Sequence, residues 1–243
     1  ISLDAKDELV ASRWLQQVTD PDNLLRARLM QATILGRQGQ IEKGRALILG
    51  LRVSTKKQEL ARTMTEVQYL RQFKQWASVY KVLSEAVAHF EEDNELAYEL
   101  ALAAEKVGQF DEMETILRGL IDQNPKFHQG YNALGFSLAD RNVRLDEAKS
   151  LITQALQMAP DDAYITDSLG WVEFRLGHWK EARAILQSAY ESVRDVEIAA
   201  HLGEVLWALD QRDQALEVWR QGLQQNPDNE TLVETLRRLG VKP

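Results

Sequence analysis

A spacing of about 34 residues runs through this chain, and it constrains the fold more than any single residue does. Pro125, Pro160 and Pro227 mark it first, standing 35 and then 67 residues apart, close to one and two periods. Three Leu-Gly pairs keep the same phase: Leu134-Gly135, Leu169-Gly170 and Leu202-Gly203. So do three small residues that follow an acidic or amide one, in Glu147-Ala148, Glu181-Ala182 and Gln214-Ala215. A period of this size is the signature of a repeat architecture, in which one supersecondary unit cannot bury its apolar face without neighbours. The units read as pairs of amphipathic helices, with apolar residues at i, i+3, i+4 and i+7. Small residues at the Gly and Ala positions let the paired helices approach closely, and a proline after the second helix ends it.

The residues at these positions resemble the tetratricopeptide repeat. The clearest copy is 163–194, with Ser168-Leu169-Gly170-Trp171, Leu176-Gly177, Trp179-Lys180-Glu181-Ala182 and Ala189. Copies weaken towards the N-terminus, where Met113 and Trp76 replace the small residue. The resemblance implies an all-α fold, a right-handed superhelical solenoid of helix-turn-helix units. Its expected units are 21–56, 57–92, 93–127, 128–161, 162–194 and 195–228, with a half unit at 1–20 and a capping helix at 229–240. In that last helix Leu232, Val233, Leu236 and Leu239 share one face, and Glu230, Glu234, Arg237 and Arg238 the other, as a terminal unit requires. Gly240 suits a helix end, so the C-terminus reads as a natural one. The N-terminus reads as cut from a longer protein, because residue 1 is Ile and the pattern begins in mid-unit.

Composition excludes several classes of function. Net charge is −8, which disfavours nucleic acid, since such binding rests on neutralising phosphates. With no cysteine there is no disulfide, thiol catalysis or Cys-ligated zinc. His89, His128, His178 and His201 form no pair at metal-ligand spacing along a helix, and no phosphate-binding glycine loop occurs. The expectation is a non-enzymatic chain with no cofactor and no metal.

The resemblance also locates a binding surface. In such repeats the first helix of each unit lines the concave face. The matching positions here include Tyr98 and Glu105, then Asn132, Phe136 and Asp140, then Tyr164, Asp167, Trp171 and Arg175, and last Glu197, Glu204 and Trp207. Aromatic residues are frequent and carboxylates outnumber cations, which suits a partner offering basic and apolar side chains. Phe174 and Trp207 are equally suited to packing between helices. The Lys-Asn set that clamps chaperone tails is missing, although Asn132 is present.

Two stretches are more distinctive than a generic unit: Asp161 to Trp171, and Glu197 to Trp207. With the ending Leu236-Arg237-Arg238-Leu239-Gly240 they resemble the C-terminal part of proteobacterial exported, outer-membrane lipoproteins of this repeat class. That likeness implies a periplasmic location, an anchoring cysteine upstream of Ile1, and an adaptor role. The implied partners are a carboxyl-terminal processing protease and its cell-wall hydrolase substrates. The alternatives are a substrate-recognition arm of a larger enzyme and a self-association module.

Overall fold

In the computed structural model, residues 5–90 and 93–242 are described; the remainder of the expected 1–20 and 57–92 spans, and Pro243, lie outside them. The described residues form fourteen α-helices. They are α1 (Ala5–Gln16), α2 (Pro21–Arg37), α3 (Ile41–Leu49), α4 (Lys56–Gln72), α5 (Trp76–His89), α6 (Asn94–Lys106) and α7 (Phe110–Gln123). After them come α8 (His128–Asp140), α9 (Leu145–Met158), α10 (Ala163–Arg175), α11 (Trp179–Ser192), α12 (Val196–Ala208), α13 (Arg212–Gln225) and α14 (Glu230–Leu239). The fold is all-α, as the 34-residue period requires. The helices group into two compact units, 1–113 and 114–243, with the division falling inside α7.

The turn between paired helices is set by one left-handed residue. That conformation falls at Gly39, Lys74, Gly108, Asn142, Gly177 and Asp210, so it recurs every 33 to 35 residues. Glycine adopts it without steric cost, and Asn or Asp tolerates it better than most residues do. Between α8 and α9 a second left-handed residue follows, Arg144 at φ 47°. It absorbs the extra residue that the spacing near Val143 requires.

Three of the first helices, α6, α10 and α12, are capped alike. Asp93, Asp162 and Asp195 each accept hydrogen bonds from the two backbone N–H groups that follow the first helical residue. An Asp side chain satisfies donors that the helix itself leaves unpaired, and it opposes the positive end of the helix dipole. Replacing Asp162, whose carboxylate accepts from Tyr164 N at 2.8 Å and Ile165 N at 3.2 Å, is a direct test. Asp162→Ala is expected to cost about 1 kcal/mol, read as a lower urea midpoint at unchanged m-value.

In the first unit, Gly44 of α3 lies against Tyr69 of α4; a methyl there would meet the Tyr69 hydroxyl at 2.2 Å. That hydroxyl donates to the Ile41 carbonyl at 2.8 Å, which ties α4 to the start of α3. Arg45 pairs with the buried Glu66 at 2.7 Å. Lys106 stands over the Trp76 ring, so the large residue at a normally small position is accommodated half-buried, with a cation on its face.

In the second unit the helix pairs are held by the Leu-Gly positions. A methyl on Gly135 would meet Ile152 at 2.7 Å, one on Gly170 would meet Leu186 at 2.5 Å, and one on Gly203 would meet Trp219 at 2.1 Å. The first helices α8, α10, α12 and α14 pack side by side, each touching the next. The second helices are less closely spaced, and α11 reaches α13 through side chains, the Tyr190 hydroxyl donating to Gln221 at 3.1 Å. Within this unit the stack therefore curves towards its first helices.

Candidate protein-binding surface

The inner layer of the second unit carries most of the residues that the repeat pattern selects. Tyr164 at the start of α10 is 53% exposed, the most open large hydrophobic side chain of that layer. Glu197 on α12 and Asp140 at the end of α8 are exposed too. Phe136 is half-buried. Arg175 is half-buried, donates to the Asp140 carbonyl at 3.2 Å and places its guanidinium 5.7 Å from the centre of the Trp171 ring. Asn132 is half-buried and its side-chain carbonyl has no hydrogen-bond partner.

Three expected surface residues are instead inside. Asp167, Trp171 and Glu204 are only 6%, 4% and 6% exposed, so the expectation that they line an open groove is corrected. Each is taken up by the next first helix. Asp167 of α10 faces His201 of α12, whose Nδ1 lies 2.9 and 3.0 Å from the two carboxylate oxygens. Trp171 stacks on the same imidazole with ring centres 4.4 Å apart, and Phe136 approaches it at 5.8 Å. Glu204 of α12 accepts a hydrogen bond from Arg238 of α14 at 2.5 Å. A carboxylate in such a position would be costly alone, and the cation from the neighbouring repeat is what makes its burial tolerable.

These pairings show what sequence reasoning missed. The repeat pattern makes His201 a packing residue; in the structure it is the centre of a buried cluster. The same pattern puts Arg238 on the polar outer face of a cap, yet it reaches inwards to the preceding unit. A signal existed: Asp167 and His201, like Glu204 and Arg238, are opposite charges 34 residues apart. One repeat length puts two residues on adjacent first helices.

The electrostatics follow from these contacts. Burial alone would push the His201 imidazole down, but the carboxylate of Asp167 outweighs it, with Asp140 and Glu197 adding to the effect, and holds the group above its ordinary value. Trp207 is half-buried against Trp219, with the Arg212 guanidinium 3.8 Å from its ring centre. Phe174 is likewise partly buried on the core, so both take the packing role.

Tyr98 and Glu105 belong to α6 of the first unit, and both are half-buried. Burial raises the Tyr98 phenol above its usual range, and the charges of Glu99 and Glu105 act in the same direction.

Sequence profiles of the tetratricopeptide repeat match residues 134–196 and 196–221. With the helix pairs, the turn register and the packing just described, this makes the chain a tetratricopeptide repeat protein. Among curated proteins it is similar to the TPR repeat-containing protein PA4667 of Pseudomonas aeruginosa, with 33% identity over 199 residues. That alignment covers 82% of this chain but only 34% of the relative, so the chain spans about a third of it. In fold it is similar to a thermophilic TPR protein of Thermus thermophilus, with a TM-score of 0.66 at 22% identity. The match covers 74% of this chain and 99% of the other. It is also similar to a tetratricopeptide repeat protein of Parabacteroides merdae, with a TM-score of 0.71 at 13% identity. There 96% of this chain and 92% of the other are covered.

Proposed function

We propose that this chain is a non-catalytic adaptor that holds a protein partner on the inner layer of its second unit. Repeat proteins of this class generally mediate protein–protein contacts, and the partner chemistry proposed here comes from the exposed residues of that layer. The observation that carries the reading is the open Tyr164 ring at the start of α10, with the exposed carboxylate of Glu197 at the start of the neighbouring first helix α12; a second exposed carboxylate, Asp140, lies at the far end of α8 beside Arg175. An exposed aromatic anchor on a layer carrying acidic groups favours a partner with basic and apolar side chains.

The exported, outer-membrane-anchored location and the partners belong to the same proposal. They rest on the likeness of 161–171 and 197–207 to exported repeat lipoproteins, among them an adaptor that activates a carboxyl-terminal processing protease and recruits cell-wall hydrolases. The test is quantitative binding of the purified protease and of a hydrolase substrate to the wild-type chain and to Tyr164→Ala with Glu197→Lys. At least a tenfold weaker Kd is expected, corresponding to about 1.4 kcal/mol. Unchanged affinity for both proteins removes the inner-layer assignment. No helix among the described residues is long and apolar enough to cross a membrane.

A further inference from the structure

At the turn between α10 and α11, three potential ligand groups converge that the protein-binding reading does not use. Glu173 near the end of α10 is buried, with its side chain 2% exposed. Its Oε2 lies 2.7 Å from Nδ1 of His178, the residue preceding α11. Glu181, in the first turn of α11, completes the group: one ligand atom from each of the three falls within 4.8 Å of the others. His178 and Glu181 also line a cleft of about 450 Å³ with Trp179 and Leu209, so the cluster is open to solvent from one side.

We propose that Glu173, His178 and Glu181 bind a borderline divalent cation, for which Zn2+ is the appropriate probe. One imidazole nitrogen and two carboxylate oxygens, with water in the remaining position, form a three-ligand set that zinc accepts and that calcium and magnesium do not favour. The Glu173–His178 pair needs little change, and the exposed Glu181 side chain is free of the core and can close on the ion. Two ligands on a tetrahedral zinc ion stand roughly 3.3 Å apart. The Glu173–His178 gap of 2.7 Å therefore opens by roughly 0.6 Å as the ion replaces the proton between them. That proton passes to Nε2 of a neutral ring, or to solvent from a charged one, so that in either case a neutral imidazole binds the metal through Nδ1.

Glu173 is prepared for this role. Lys149 Nζ sits 2.5 Å from Oε1, the oxygen that His178 does not contact. It orients the carboxylate from behind, as outer hydrogen-bond partners do at metal sites. Lys149, Lys180 and the positive end of α11 all oppose a cation. They set the affinity well below that of an enclosed structural zinc site.

Isothermal titration of zinc chloride into the full chain tests this. One saturable equivalent is expected, together with a zinc-dependent rise in Tm. His178→Ala and Glu181→Gln are each expected to weaken binding at least tenfold, and His178→Ala to abolish the Tm rise. Both residues are exposed, so both variants should fold, which circular dichroism verifies. His128→Ala, on a different helix, should leave the titration unchanged. No saturable binding, or wild-type affinity in either His178→Ala or Glu181→Gln, overturns the site.

Discussion

Trp219→Ala is expected to lower the unfolding free energy of the second unit by about 3–5 kcal/mol, the range for deleting a fully buried large side chain. Trp219 has no exposed surface and belongs to the core formed by Leu186, Ile198, Leu202, Leu206 and Leu232. Its ring lies directly on Gly203, and its N–H donates to the Ala200 carbonyl at 3.3 Å. Truncation therefore leaves a cavity on a glycine, where no side chain can move in from α12, and it removes the hydrogen bond as well. Collapse is the usual means by which a core limits such a loss, and here it is restricted. Urea unfolding followed by far-ultraviolet circular dichroism gives the loss. A change below about 1 kcal/mol would show that the indole is not the packing element joining α12 to α13. Gly203→Ala should also destabilise, because a methyl there would meet the indole at 2.1 Å. The two effects should be less than additive when combined, since the second change relieves the first.

The second large effect concerns the pair between α10 and α12. Asp167→Ala is expected to cost about 1–3 kcal/mol, because it leaves a buried imidazole N–H without its acceptor. His201 is 5% exposed and stacked on Trp171, so water does not replace the lost carboxylate. The pair also gives stability a pH dependence with a defined sign. The folded His201 binds its proton more tightly than the unfolded one, because Asp167 outweighs burial, with help from Asp140 and Glu197. Its contribution is fully present below the unfolded value of about 6.5 and falls as pH rises towards the folded value. Urea midpoints measured across this window should decline with pH in the wild type. The slope due to this group should disappear in His201→Phe, which keeps a ring on Trp171 but carries no proton. A slope that persists unchanged would assign the pH dependence to other groups.

The repeat itself is legible without coordinates. Proline, Leu-Gly and small-residue spacings locate helix pairs because each answers a local requirement: a helix that must stop, and two helices that must come within reach of each other. Of the first-helix positions that the repeat pattern selects, Tyr164, Glu197 and Asp140 are exposed. The N-terminal units are harder to read because Met113 and Trp76 stand at the small position, and the turn residue does not help to find the register. Lys74, Asn142 and Asp210 adopt the left-handed conformation that Gly39, Gly108 and Gly177 adopt, so the backbone repeats where the residue type does not. Tyr69 resting on Gly44 is likewise invisible in the sequence, since it depends on which face of α4 meets α3.

Asp167, Trp171 and Glu204 depart from the open-groove expectation for one reason. Their register position is common to all units, but their exposure depends on what the following unit presents. His201 and Arg238 supply a partner to each buried carboxylate, and the same imidazole covers Trp171. The candidate metal ligands are hidden in the sequence for a related reason. Paired histidines along one helix are a local signal, whereas Glu173, His178 and Glu181 are gathered by a left-handed turn at Gly177 that folds α11 back onto α10.

Period, helix pairing and the all-α class thus follow from sequence alone, because they depend on contacts between residues fewer than 40 positions apart whose types recur. Which charges are buried, which aromatics remain open and which ligands converge depend on side-chain directions across neighbouring helices. Only the packed structure decides those, because whether a polar group meets water or a partner depends on every element placed against it.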